Sequence, residues 1–424
     1  MQSLRFFSLL GFAVLLFVQS KSVAAAELQS HADVVAHLQQ KAKSTGFDLA
    51  KYIGMLDNTA AGLIDHNPGL GPDYPIWILP SPAYPEVYSR DAFWTLAGYE
   101  KNNYLKTISD MFSQNAQHSS WNPALNGQIS TIIRKKETNP PDGRRYDEST
   151  MFWVLSAKFS GKNVVSEPYL KASYNWLKQS VTKDGFSVVS HGWIDAWEPV
   201  KTPVVSANNQ GLYVVTLQAL RDMGVAVPTE EIEAAKTAYR NLAKDGILRA
   251  YQGSTVIDVS SLMGEALSLY LWNESILDSQ VVKATIGKFA PAFYEDGDFL
   301  GYKCLSNEDG SYLKESEFWE IATRDPGNYQ NGGSWLLYEV LALYAGARHS
   351  NLKTDDAYIT RFIGRLNSEV KYDYSSKELI CTGGTCGNCN TNDCVCPNGK
   401  CGLGSYHKIR IFYGWNVFTK RLLH

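Results

Sequence analysis

Ser334-Trp335-Leu336-Leu337-Tyr338-Glu339-Val340-Leu341-Ala342-Leu343-Tyr344-Ala345 holds a single charged residue in twelve positions. Its apolar residues cover every side of a 3.6-residue wheel rather than one stripe. A helix made from such a run has to be buried on both sides. Leu212-Tyr213-Val214-Val215-Thr216-Leu217-Gln218-Ala219-Leu220 reads the same way. Glu230 to Leu242 is the contrast, an amphipathic segment with charges on one face and apolar residues on the other. A chain with both kinds of helix has an inner layer and an outer one.

Outward from these segments the same alternation continues. Spacing at three and four, broken by Gly, Pro or Asn, predicts helical character near 31–64, 89–100, 102–117, 146–159, 167–182, 208–223, 229–244, 259–273, 278–289, 331–348, 354–369 and 406–422. No segment reads as a core strand, and Phe186 to Ser190 suits at most a short ribbon. Short polar links alternate with long ones, at 67–88, 118–145, 184–207, 245–258, 290–330 and 370–405. Long loops in a compact domain are usually functional. Six helical hairpins in a ring, all long loops at one end, account for the pattern. The expected fold class is all-α, an (α/α)6 toroid of six inner and six outer helices.

The unusual residues cluster where the inner helices begin. They are Ser89-Arg90-Asp91-Ala92-Phe93-Trp94, Arg144-Arg145-Tyr146-Asp147-Glu148, Trp193-Ile194-Asp195-Ala196-Trp197-Glu198, Asn208-Asn209-Gln210, Asp258-Val259-Ser260, Asn331 to Trp335, and Tyr413-Gly414-Trp415-Asn416. In a toroid these positions converge on one funnel, and six helix N-termini facing it favour carboxylates there. Each also has a structural reading: Asp91 and Asp147 as first-turn acids, Ser89 and Ser260 as N-caps, Trp94 and Trp335 as core. Taken together, indole faces beside carboxylates and guanidinium groups suit sugar rings, whose C–H groups pack on the ring face while their hydroxyls meet the charges. The pair Trp193 and Trp197 around Asp195 would desolvate that carboxyl and raise its pKa, as a general acid at mild pH requires. Glu198 is the rival acid.

The ends of the chain set its address. Arg5, the apolar run Phe6 to Val18 and Ala24-Ala25-Ala26 have the order of a secretory signal peptide, so residues 1–26 are expected to be removed, leaving a domain over 27–424. The apolar run is short of the roughly 20 residues a membrane span needs, and no later stretch approaches that length. Cleavage takes away Arg5 and Lys21 and no acids, which moves the formal charge from −3 to −5. That acidic balance lacks the basic tract nucleic acid would require. Of seven cysteines, Cys381, Cys386, Cys389, Cys394, Cys396 and Cys401 fall in one insertion, 381–401, and Cys304 stands apart. In an oxidising compartment the six read as disulfides whose pairing the spacing leaves open. A thiolate metal cluster also suits the spacing, but no histidine pattern flanks it, and neither metal nor cofactor is expected. Asn273-Glu274-Ser275 is the one N-glycosylation sequon.

Here the sequence resembles a superfamily. The order Arg90-Asp91-x-x-Trp94, Arg145-Tyr146-Asp147-Glu148, Trp193-x-Asp195-Ala196, Asn209-x-Gly211-Leu212-Tyr213 and Tyr329-x-Asn331-Gly332-Gly333-Ser334-Trp335, then a final helix with Trp415, looks like the six-hairpin glycosidases. That superfamily includes glucoamylases, neutral invertases and the glucosidase domain of glycogen-debranching enzymes. Trp193-Ile194-Asp195-Ala196 is similar to the debranching enzymes' Trp-Met-Asp-Ala. Asn331 to Trp335 is similar to the Asn-Gly-Gly-Ser-Trp of neutral invertases. The resemblance implies inverting hydrolysis of a glycosidic bond, with Asp195 as acid. It also implies a base in the loop before the final helix, where Glu378 stands; Glu315 and Glu317 are the alternatives. The invertase Trp-Pro-Glu-Tyr-Tyr motif is absent, and the Cys-rich insertion follows Glu378 directly.

The expected substrate-binding residues are Arg90, Asp91, Arg145, Asp147 and Glu148 for hydroxyls. Trp94, Trp193, Trp197, Trp335 and Trp415 are expected as ring platforms, and Asn208, Gln210 and Asn331 as neutral contacts. The partner is a carbohydrate. Rival readings on the same scaffold are a polysaccharide lyase or sugar epimerase recruiting Tyr146 or His191, and a carbohydrate-binding protein without catalysis.

Overall fold

A computed structural model describes residues 28–65, 76–81, 86–100, 103–104, 106–107, 127–129, 132–133, 147–161, 167–186, 205–293, 297–318, 326–327, 330–371, 377, 380, 394–395, 406–407 and 414–424. Its helices are α1 (His31–Thr45), α2 (Leu49–Leu63), α3 (Ser89–Tyr99), α4 (Asp147–Ser160), α5 (Glu167–Lys178) and α6 (Ala207–Asp222). They continue with α7 (Thr229–Arg240), α8 (Met263–Trp272), α9 (Ser279–Gly287), α10 (Leu336–Arg348) and α11 (Ala357–Val370), and end in a 3-10 helix, Gly414–Leu422.

The inner elements form a closed ring: α3 packs on α4, α4 on α6, α6 on α8, α8 on α10, α10 on the 3-10 helix, and the 3-10 helix back on α3. The two runs that were apolar all round lie in it. Every residue from Leu336 to Arg348 is buried, as is every residue from Ala207 to Leu220. Outside the ring, α5, α7 and α11 each pack on the inner helix that precedes them, and α9 packs on α10, the inner helix that follows it. The last hairpin is made from both chain ends, because α1 lies on α10 and α11 while α2 lies on α3 and the 3-10 helix. The architecture is the (α/α)6 toroid.

Where α6 and α8 cross, each helix carries a glycine, Gly211 and Gly264. A Cβ on Gly264 would stand 2.3 Å from the Gly211 Cα, so α6 and α8 approach backbone to backbone. Strands are confined to six two-stranded ribbons among the described residues, none longer than Phe299–Tyr302.

Three expected segments differ. The 31–64 segment is two helices, because Gly46 turns left-handed at φ 73° and Asp48 begins the next helix by accepting from the Lys51 amide at 2.9 Å. The 331–348 helix starts only at Leu336; Asn331 and Gly332 lie in a turn, Trp335 is extended, and Ser334 exchanges backbone hydrogen bonds with Ile380. Within 406–422, Tyr406–His407 pair with Cys394–Val395 as a ribbon, and the closing element is wound as a 3-10 helix. Among the described residues no helix is long and apolar enough to cross a membrane. Residues 1–27, and Ser187 to Ser190 of the expected ribbon, lie outside those described.

Candidate active site

Four neighbouring inner elements bring charged and aromatic residues together. Arg90 and Asp91 sit in the first turn of α3, and Glu148 in the first turn of α4. Arg90 Nη1 donates to Glu148 Oε1 at 2.9 Å, and the two side chains are only 13% and 3% exposed. Trp415, on the 3-10 helix, donates its indole N–H to Asp91 Oδ1. The Arg90 guanidinium lies over the Trp415 ring, 4.5 Å from its centroid. Trp335 packs against Trp415 with centroids 5.5 Å apart and a 34° tilt, and Tyr338 meets Trp415 edge-on at 5.7 Å.

Each contact constrains the next. A cation over an indole is worth more when desolvated, and a carboxylate accepting the indole N–H fixes the ring's rotation. The result is a rigid wall of planar faces with one guanidinium and two carboxylates, held at the starts of the inner helices. Such a wall has the chemistry of a sugar site, planar faces beside charged hydrogen-bonding groups, and its rings are buried in this structure, Trp335 at 2% and Trp415 at 3% exposure.

A second buried network holds the neighbouring backbone. Arg365 of α11 bridges two acids, with Nε 3.1 Å from Glu339 Oε2 and Nη1 3.1 Å from Glu369 Oε2. Glu339 also accepts from the Ser334 hydroxyl at 2.6 Å and the Tyr302 amide at 2.9 Å. Burial lifts the Glu339 carboxyl above its ordinary range despite the pull of Arg365. Glu369 accepts from the Lys377 amide at 2.7 Å, the Lys377 ammonium donates to the Glu369 carbonyl at 2.6 Å, and Asn416 Nδ2 donates to the Lys377 carbonyl at 2.6 Å. Lys377 is held by this network, and Ile380 by its backbone pairing with Ser334.

Not every expected residue joins the cluster. Trp94 is enclosed by Phe93, Phe152 and Phe418, with centroids 4.7–5.4 Å away, and packs as core rather than as an open platform. Gln210 gives both N–H bonds of its amide to the Gly185 and Ala235 carbonyls, at 3.1 and 3.0 Å, on the side of the outer helix α7. Asn331 both donates to and accepts from the Leu313 backbone, at 3.2 and 3.0 Å, which anchors the long loop before α10. Asn208 reaches the Ser260 carbonyl at 3.4 Å, and its Oδ1 is buried without a partner among the described residues. Ser260 is not an N-cap: Asp258 is, and it accepts from both the amide and hydroxyl of Ser260.

Asp147 opens α4. Asp195, Trp193, Trp197, Glu198, Arg145 and Glu378 lie outside the described residues, as do Cys381, Cys386, Cys389, Cys396 and Cys401. Cys394 starts the short strand paired with Tyr406–His407, and the buried Cys304 thiol donates to the Gln330 carbonyl at 3.2 Å. Of the alternative bases, Glu315 is exposed and Glu317 caps its own turn by accepting from the Lys314 amide at 2.8 Å. Sequence reading missed Tyr338, Glu339, Arg365, Glu369 and Lys377. The one signal available was the lone charge, Glu339, in an otherwise apolar run.

Ring and cluster define an (α/α)6 toroid with an aromatic, acidic wall at the starts of its inner helices. No family model matches the sequence, and no curated protein matches it. Among solved structures the chain is similar to a wild-type glycosidase, at 13% identity and a TM-score of 0.54 over 89% of this chain and 96% of that one. A glutamate-to-alanine variant of a glycosidase in complex with glucose aligns at 14% identity and a TM-score of 0.52, over 89% and 96%. A GH63 mannosylglycerate hydrolase from Thermus thermophilus, in complex with Tris and D-glycerate, aligns at 11% identity and a TM-score of 0.50, over 87% and 99%. The chain has the helical toroid fold of these glycosidases.

Proposed function

We propose that this chain is an exported glycoside hydrolase that cleaves a glycosidic bond of an oligosaccharide or glycoconjugate with inversion. The observation that supports it most is the Arg90–Asp91–Glu148–Trp335–Trp415 cluster. It combines stacking faces and charged hydrogen-bonding groups in the fold that the similar structures use as glycosidases. Hydrolysis with inversion needs an acid to protonate the departing oxygen and a base to activate water on the opposite face, roughly 6.5–9.5 Å apart.

Asp195 is the acid in this reading. Its loop leads directly into α6, an inner helix, and its Trp neighbours would keep it protonated at mild pH. Glu378 is the base. Support comes from its neighbours: Lys377 and Ile380 are tied to Glu369, Asn416 and Ser334, close in the chain to Trp335 and Trp415. The acid gives its proton to the leaving oxygen as the C1–O bond breaks. The base takes a proton from the water that attacks C1.

The test is a panel of aryl glycosides and natural disaccharides, assayed with the wild type, Asp195→Asn and Glu378→Gln. Hydrolysis of one class, with both variants at least 1000-fold slower and the first-formed anomer inverted by NMR, is the expected outcome. Unimpaired turnover in both variants refutes the acid and base assignments. An unsaturated uronate product would replace hydrolysis by elimination. Signal cleavage before Glu27 and disulfides within 381–401 belong to the same reading. N-terminal sequencing and non-reducing peptide mapping of the exported chain check them.

A further inference from the structure

The sequon Asn273-Glu274-Ser275 falls at the turn between α8 and α9. Asn273 is the C-cap of α8, in the left-handed region at φ 55°, a conformation Asn tolerates better than other side chains with a Cβ. The residue is exposed. Its amide is held by one atom only: Oδ1 accepts from Arg348 Nη2. The same guanidinium, itself fully buried, donates to the Leu269 carbonyl, the Tyr344 hydroxyl and the Gln29 carbonyl. Asn273 Nδ2 has no partner among the described residues.

The wall of aromatic and acidic residues lies at the starts of the inner helices, whereas Asn273 follows the last residue of one. The ten residues of α8 put about 15 Å of helix axis between those ends.

We infer that Asn273 is an N-glycosylation site that carries its glycan on the short-turn face, away from the substrate entrance. This rests on the export proposed above. The donor is a lipid-pyrophosphate-linked oligosaccharide supplied by the compartment. The Nδ2–C1 bond forms, and the C1–O bond to the pyrophosphate breaks. The lipid pyrophosphate leaves with the electron pair, and Nδ2 gives up one proton to the transferase. The product amide keeps its Oδ1, so the bond from Arg348 survives the modification.

Geometry also sets the timing. In the folded chain the Ser275 hydroxyl donates to the Leu277 carbonyl at 2.6 Å and lies 3.0 Å from Glu265 Oε1. Glu265 is wholly buried and further accepts from the Ile276 and Leu277 amides at 2.8 and 2.9 Å. A transferase that must engage that hydroxyl finds it occupied once α8 and α9 have paired. Transfer therefore happens on the nascent chain, before this hairpin closes.

The experiment is translation of the full chain with its own N-terminus in the presence of glycosylating microsomes. Protease protection and N-terminal sequencing score import, and endoglycosidase digestion with peptide mass mapping scores the glycan. One endoglycosidase-sensitive shift on the Asn273 peptide is expected. It is lost in Asn273→Asp, which keeps an acceptor for Arg348 and tolerates the cap conformation, and kept in Ser275→Thr. The folded, unmodified protein added to the same microsomes after detergent permeabilisation stays unshifted. A chain that is imported and cleaved but carries no shift overturns the site and leaves export standing. A chain that remains protease-sensitive outside the vesicles overturns both. Equal modification of the folded protein refutes the timing.

Discussion

Gly264→Ala is the sharpest test of the inner ring. The added Cβ would lie 2.3, 2.4 and 2.6 Å from the Cα, carbonyl C and O of Gly211. Non-bonded carbons pack at about 3.5–4.0 Å, so α6 and α8 would have to part by about 1 Å. All three blocking atoms are backbone, and no rotamer change relieves them. Overpacking of this kind costs about 1–3 kcal/mol, and the absence of a flexible neighbour places it at the upper end. Replacing Gly by Ala inside a helix returns about 1 kcal/mol. The net expectation is a loss of about 2 kcal/mol. With a urea slope of about 3 kcal/mol/M, the unfolding midpoint falls by about 0.7 M. Gly54→Ala in α2 is the control, because nothing lies within 4 Å of its added Cβ; it should be neutral or stabilise by up to about 1 kcal/mol. A Gly264→Ala midpoint equal to or above that of the wild type would refute the backbone-to-backbone crossing of α6 and α8.

Trp415→Phe keeps the ring contacts with Trp335 and Tyr338 but removes the N–H that Asp91 accepts. Leaving a buried carboxylate short of a donor costs about 1–3 kcal/mol, so kcat/KM on the substrate identified by the panel should fall about 5- to 150-fold; unchanged kinetics would remove Asp91 from the site. Arg365→Met strips the shared cation from Glu339 and Glu369, both fully buried. Breaking such a pair from one side costs about 3–5 kcal/mol, read as a lower denaturation midpoint, and a wild-type midpoint would show the network to be idle. Glu308 is held below its ordinary value of 4.5 by the hydrogen bond from Lys288 and then by Arg249. A depressed carboxyl contributes stability that is complete above pH 4.5 and fades as pH falls through the lowered value. The midpoint difference between wild type and Glu308→Gln should therefore be largest near neutral pH and vanish in acid. A difference that grows in acid contradicts the pairing.

How far the sequence reaches depends on the range over which its information acts. The wheel of Ser334 to Ala345 is filled on all sides by adjacent residues, so burial of α10 is readable locally. The split of 31–64 was readable too, since Gly46 and Asp48 are a C-cap and an N-cap in the expected order. Side-chain partners are another matter. Asn331, Gln210 and Trp94 have the chemistry of sugar contacts, yet they face a loop backbone, an outer helix and an aromatic core. Nothing in the residue type decides among those directions. The angle at which each helix leaves its ring does.

Period and loop alternation, both short-range properties, determined the helices, the two layers and the ring of six. Ring closure decided the rest. Trp415 and Asp91 are 324 positions apart and Arg90 and Glu148 are 58 apart, and they meet only because the 3-10 helix docks beside α3 and α3 beside α4. The same closure lays α1 and α2 over the C-terminal elements and chose Glu339 and Glu369 as the acids that hold Arg365. A hydrogen bond across the ring depends on the summed geometry of every hairpin between its partners, and no window of sequence contains that sum.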